Sequence, residues 1–131
     1  MLALDTNVLV RYLVQDDQPQ YEQARRLIAR ELKKGEPVLI SLLVLLETEW
    51  VLRSRYELGK LERLSTISAL LDSADLAFED EACIEQAVYS WKDSKADFAD
   101  CLIEARHRRL GCDATATFDA RALALPGFVS V

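Results

Sequence analysis

The chain has 131 residues, half of them hydrophobic, which is the size of one domain with enough apolar side chains for a core of its own. Its 22 acids outnumber its 16 bases, for a formal net charge of −6, and that balance excludes a protein that grips nucleic acid through bulk positive charge. Nucleic-acid chemistry would instead need locally clustered Arg and Lys, or metal ions that reverse the sign of an acidic pocket.

Leu2-Ala3-Leu4-Asp5 reads as a short buried strand over 2–5 that ends on an acid, with no base before Arg11. Because Asp5 and Arg11 interrupt it, the N-terminal stretch predicts neither a signal peptide nor a membrane span, and a cytoplasmic location is expected. Helical patterns follow near 6–14 and 18–34, stopped by Gly35-Glu36-Pro37, and a strand near 37–40 comes next. Helices near 41–56 and 60–73 lead to a strand near 75–78. Helices near 81–92 and 97–110 end at Gly111, before a strand near 113–117. Pro126-Gly127 is a turn into the last strand, near 127–131. Strands separated by helices require crossover connections, so the expected fold is a three-layer α/β/α domain with a parallel sheet, one domain over 1–131. Such sheets bind ligands outside the carboxyl ends of their strands. Cys83, Cys101 and Cys112 are odd in number and widely spaced, which argues against a disulfide framework or a zinc site and predicts reduced, mostly buried thiols.

Acids gather where those strands end. Asp5 closes the first, Asp119 follows the fourth, Asp97 and Asp100 open the helix near 97–110, and Glu47 lies inside the helix near 41–56. Asp5, Asp97 and Asp119 all stand where an N-cap belongs, and capping alone, at about 0.5–2 kcal/mol, would account for any one of them. Glu47 has Leu43, Trp50, Val51 and Ser54 as wheel neighbours and no base among them, whereas Glu49 has Arg53 four residues on for a surface pair. Periodicity does not choose between the two glutamates; the missing partner favours Glu47. Asp100 likewise faces Glu104, which already has Arg108 as its mate. If Asp5, Glu47, Asp100 and Asp119 converge, each pair about 4 Å apart repels by roughly 4 kcal/mol at an effective dielectric of ~20. Divalent cations would relieve that, and all-oxygen ligands suit Mg2+ or Mn2+. Two such ions clamp a phosphodiester and activate water, which is a nuclease site without histidine.

Four segments carry a family likeness: "LDTNVLVRYL", "ISLLVLLETEWVL", "ADFADCLIEA" and "ATFDAR". In order and spacing they resemble a PIN domain, specifically the VapC-like toxins of bacterial toxin–antitoxin pairs. The resemblance implies a five-stranded parallel sheet of order 3-2-1-4-5 and Mg2+- or Mn2+-dependent endoribonuclease activity. Its catalytic metal ligands would be Asp5, Glu47, Asp100 and Asp119. It places Asp97 at the helix cap beside them, with Thr6, Asn7 and Thr117 orienting the carboxylates. It implies an RNA substrate, a cognate VapB-like antitoxin and a homodimer, with no membrane association.

Arg25, Arg26, Arg30, Lys33 and Lys34 on one helix, and Arg106, Arg108 and Arg109 at the end of another, read as dipole complements or phosphate contacts. Arg11 and Arg121, beside Asp5 and Asp119, are better placed to reach RNA. His107 reads as a solvated surface residue, and Trp50 and Trp91 as core or interface anchors, not base-stacking platforms. Two other readings stand beside the nuclease. A receiver-like phosphoacceptor domain needs an Asp ending a central strand and a lysine after a later one, but "EDEAC" follows 75–78 and no lysine follows 113–117. A non-catalytic RNA- or protein-binding module is disfavoured by the acidic balance.

Overall fold

A computed structural model describes residues 1–131. The chain divides into two compact units, Met1–Glu79 and Asp80–Val131. No helix is long and apolar enough to cross a membrane.

The first unit holds helices α1 (Thr6–Val14), α2 (Gln18–Lys33), α3 (Leu42–Ser54) and α4 (Lys60–Leu71), with strands β1 (Val38–Ile40) and β2 (Leu76–Phe78). Local chemistry sets the boundaries. Asp17 accepts the Gln20 N–H at 3.1 Å to cap α2, with Pro19 in the first turn, and Ser41 accepts the Val44 N–H at 3.2 Å to cap α3. Gly35, at φ 82°, takes the left-handed conformation that ends α2. β1 and β2 pair in parallel, Val38 opposite Leu76 and Ile40 opposite Phe78. Leu9, Val38, Ile40, Leu45, Leu52 and Ile67 are the most deeply buried apolar side chains here.

The second unit holds α5 (Glu81–Lys92), α6 (Phe98–Arg109), β3 (Thr115–Thr117), a short 3-10 turn at Ala122–Ala124, and β4 (Phe128–Ser130). α5 packs on α6 through Cys83, Ile84, Ala87, Cys101 and Ala105, all fully buried, and the rings of Trp91 and Phe98 meet at 5.0 Å. β3 and β4 pair in parallel, Thr115 opposite Phe128. Gly127 leads into β4 because a Cβ there would collide with the Glu104 carboxyl.

The fold is thus α/β with six α-helices and parallel strand pairs, as expected. Four strands form instead of five, in two separate two-stranded sheets, so the order 3-2-1-4-5 is not what the hydrogen bonding shows. Residues 2–5 make only a bridge, Ala3 to Leu39, through Leu4 N–H to Leu39 O at 3.1 Å and Leu39 N–H to Leu2 O at 2.8 Å. The ladder stops because the chain turns into α1 at Thr6, whose N–H, the next that would face β1, donates to the Asp5 carboxylate at 2.8 Å instead. Trp91 is core at 2% exposed, but Trp50 is 52% exposed and is no core residue. Of the cysteines, Cys83 and Cys101 are buried and Cys112 is exposed.

Candidate active site

In the first unit α1 and α3 bring Asp5 and Glu47 to one cavity of about 260 Å³, with Arg11, Trp50, Arg55 and Tyr56 on its walls. Asp5 is the N-cap of α1 and accepts the Thr6 N–H at 2.8 Å. The capping role and a position at the cavity coincide, so they are not rival explanations. Thr6 is buried beneath it, and Asn7 lines the same space. Glu47 is exposed and makes no ion pair.

Glu49 departs from the surface pairing that its spacing from Arg53 suggests. It is not a surface acid: at 2% exposed it is the deeply buried one, paired with Arg63 at 3.1 Å and Arg53 at 3.6 Å. Arg63 comes from α4 and also donates to the Leu58 carbonyl at 3.0 Å. The two glutamates therefore divide the labour of α3, one tying helices together and one facing the cavity. Arg11 does not reach out alone, since its guanidinium donates to Gln20 at 2.7 Å, Asp16 at 3.1 Å and Tyr56 at 3.4 Å. Arg55, exposed and in no ion pair, is the less committed cation of the pocket.

In the second unit Asp97 caps α6, and its N–H donates to the Asp100 carboxylate at 3.3 Å. Burial pushes the Asp100 carboxyl above its ordinary range, the Asp97 N–H opposes that, and the charges of Asp119 and Asp97 push it further up; Arg121 offsets part of the repulsion. Asp119 lies in the turn after β3. Its N–H donates to the Thr117 hydroxyl at 3.0 Å and its carboxylate accepts the Arg121 N–H at 2.8 Å, so Thr117 bonds the backbone of Asp119 and not its carboxylate.

These side chains suit a hard divalent cation chemically: they are oxygen donors, and Asp100 is crowded by like charge that a cation would relieve. Within neither unit are three Asp, Glu, His or Cys side chains gathered closely enough to hold an ion.

Several of the other basic groups are already engaged. Arg106 and Arg109 pair with Asp80 at 2.9 and 2.5 Å, Arg108 pairs with buried Glu104, and Arg25 pairs with Glu22 at 2.9 Å. His107 is half-buried, not solvated, and shares a 2.8 Å hydrogen bond with Thr115. Glu79, just past β2, accepts the Leu42 N–H at 2.8 Å, and Asp80 is held by its two arginines. The acids a phosphoacceptor would need there are thus spoken for.

The PIN-domain family model matches residues 2–127, so the match runs through both units. No curated protein matches the chain. PIN domains are generally nucleases and typically work with divalent metal ions. The N-terminal acid before α1, the glutamate on α3 and the acids at the head of α6 and after β3 all lie inside the matched span, and the chain belongs to the PIN-domain family.

Proposed function

We propose that this chain is a Mg2+- or Mn2+-dependent endoribonuclease and the toxin of a toxin–antitoxin pair, working as a homodimer that a VapB-like antitoxin restrains. The observation that carries the nuclease reading is the cavity where Asp5 and Glu47, neither in an ion pair, face the guanidinium-bearing wall of Arg11 and Arg55. Acids alone would repel a phosphodiester, so an acid pair beside cations suits a site where metal and substrate arrive together.

In this reading Asp5, Glu47, Asp100 and Asp119 hold the ions. When bound, these supply Lewis acidity at the phosphate and lower the pKa of an attacking water. The chain does the rest. The Thr6 N–H orients Asp5, the Asp97 N–H holds Asp100, and Thr117 steadies the turn that carries Asp119. Arg55 and Arg121 are free to meet RNA phosphates.

The test is 5′-end mapping of total RNA after brief expression, wild type beside Asp5→Ala, with purified protein assayed in Mg2+, Mn2+ and EDTA. Discrete new ends that need both Asp5 and metal are expected. RNA left intact by the wild type in either metal, or cut equally by Asp5→Ala in EDTA, refutes the reading. A stability readout runs beside it: Mg2+ should raise the wild-type melting temperature and do so less in Asp100→Asn, which removes a charge the ion would neutralise.

A further inference from the structure

The cavity of the first unit holds more than acids. Trp50 lies on α3 three residues after Glu47 and is 52% exposed, against 2% for Trp91. Exposure alone assigns it nothing, since Phe118 at 91% and Tyr89 at 81% are more exposed still; its place on the wall of the cavity that holds Asp5 and Glu47 does. Arg55 and Tyr56, one turn further along the chain, line the same cavity, and Tyr56 is steadied by its 3.0 Å hydrogen bond to Asp16. An aromatic face, an uncommitted guanidinium and a pair of acids are the chemical negative of a nucleotide: a base to stack, a phosphate to pair, and a scissile bond to deliver.

Against the expectation from sequence that Trp50 is a core or interface anchor, we propose that it is a base-stacking residue, seating one unpaired nucleobase of single-stranded RNA beside Glu47 while Arg55 takes an adjoining phosphate. This rests on the ribonuclease reading for its substrate class but adds a specificity: the substrate is unpaired at that position. A base still in a duplex has its face covered by its neighbours and cannot lie on Trp50. Stacking is tolerant of base identity, so Trp50 selects for strandedness and leaves sequence choice to other contacts.

The experiment uses the full chain and a short single-stranded oligoribonucleotide. In Ca2+ in place of Mg2+, with the oligonucleotide checked on a gel to be intact after the titration, tryptophan emission is followed, with anisotropy of a labelled oligonucleotide as an independent measure of Kd. Emission from the wild type should fall on binding, and the change should vanish in Trp50→Phe, because Trp91 is buried. Trp50→Ala should weaken binding and raise KM roughly 5- to 100-fold with kcat unmoved, and Trp50→Phe should recover most of the loss. A blunt duplex should bind both variants and wild type alike. If Trp50→Ala cuts and binds like the wild type, the subsite is wrong and the nuclease reading stands. If the wild type cuts no RNA but the emission change and the Trp50→Ala loss persist, the subsite stands and the nuclease reading falls. If Trp50→Ala instead converts a dimer to monomer by light scattering with oligonucleotide binding unmoved, this face is a protein interface and the proposal is overturned.

Discussion

Two glutamates two residues apart on α3 should respond to substitution in opposite ways. Glu49→Ala removes a carboxylate that is 2% exposed and strands the Arg63 guanidinium, whose side chain is 12% exposed. Breaking a buried pair from one side costs about 3–5 kcal/mol. Arg53, 41% exposed, adds about 0–1 kcal/mol as a surface partner. Arg63 keeps its bond to the Leu58 carbonyl, so the lower end applies, about 3 kcal/mol. Glu47→Ala removes an exposed group in no ion pair, and should change stability by no more than about 0.5 kcal/mol while abolishing cleavage. Urea unfolding followed by circular dichroism reads both. With an m-value of about 1–3 kcal/mol per molar, Glu49→Ala should lower the midpoint by about 1–3 M and Glu47→Ala should leave it in place. A Glu49→Ala midpoint equal to wild type, or a Glu47→Ala midpoint that falls as far, would refute the assignment of one acid to structure and the other to the site.

Two further outcomes follow from the same geometry. Gly127→Ala puts a Cβ into the Glu104 carboxyl, which is buried and tied to Arg108, so it should destabilise by about 1–3 kcal/mol in the same assay; a neutral result would mean that Glu104 moves aside freely. The Tyr56 hydroxyl, and after it Arg11, hold the Asp16 carboxyl below its ordinary range. Its share of stability is then present above the ordinary aspartate value of about 3.9 and lost as pH falls through the lowered one, so the thermal advantage of wild type over Asp16→Asn should shrink in that acid window and be constant above it.

Local chemistry made most elements legible. Gly35 and Gly111 announced helix ends, and the alternation of short apolar runs with amphipathic ones announced parallel pairing, whereas the Asp17 and Ser41 caps came only with the structure. What failed was non-local. The first strand looked like its neighbours, but its length is limited by Asp5 having to serve α1. Glu49 and Arg63 are fourteen positions apart on different helices, so a wheel drawn for α3 alone found Arg53 and missed the partner that buries the pair. The same wheel could not say that Trp50 faces solvent, because Leu43 beside it, apolar on paper, is exposed too. For the site, acids at strand and helix ends pointed to Asp5, Asp100 and Asp119, and the lack of a basic neighbour on the α3 wheel pointed to Glu47. Spacing supplies Asp97 as a neighbour of Asp100, three residues away, but the charge that Asp119 adds there is a fact of placement.

The single exposed thiol at Cys112 has a practical side. In aerated buffer two molecules can join covalently through it, and the resulting species would pass for a native pair on a sizing column. Measurements of assembly therefore belong in reductant or in a Cys112→Ser background. Conversely, maleimide chemistry should attach one reporter per molecule at that position without any prior mutagenesis, since Cys83 and Cys101 are shielded.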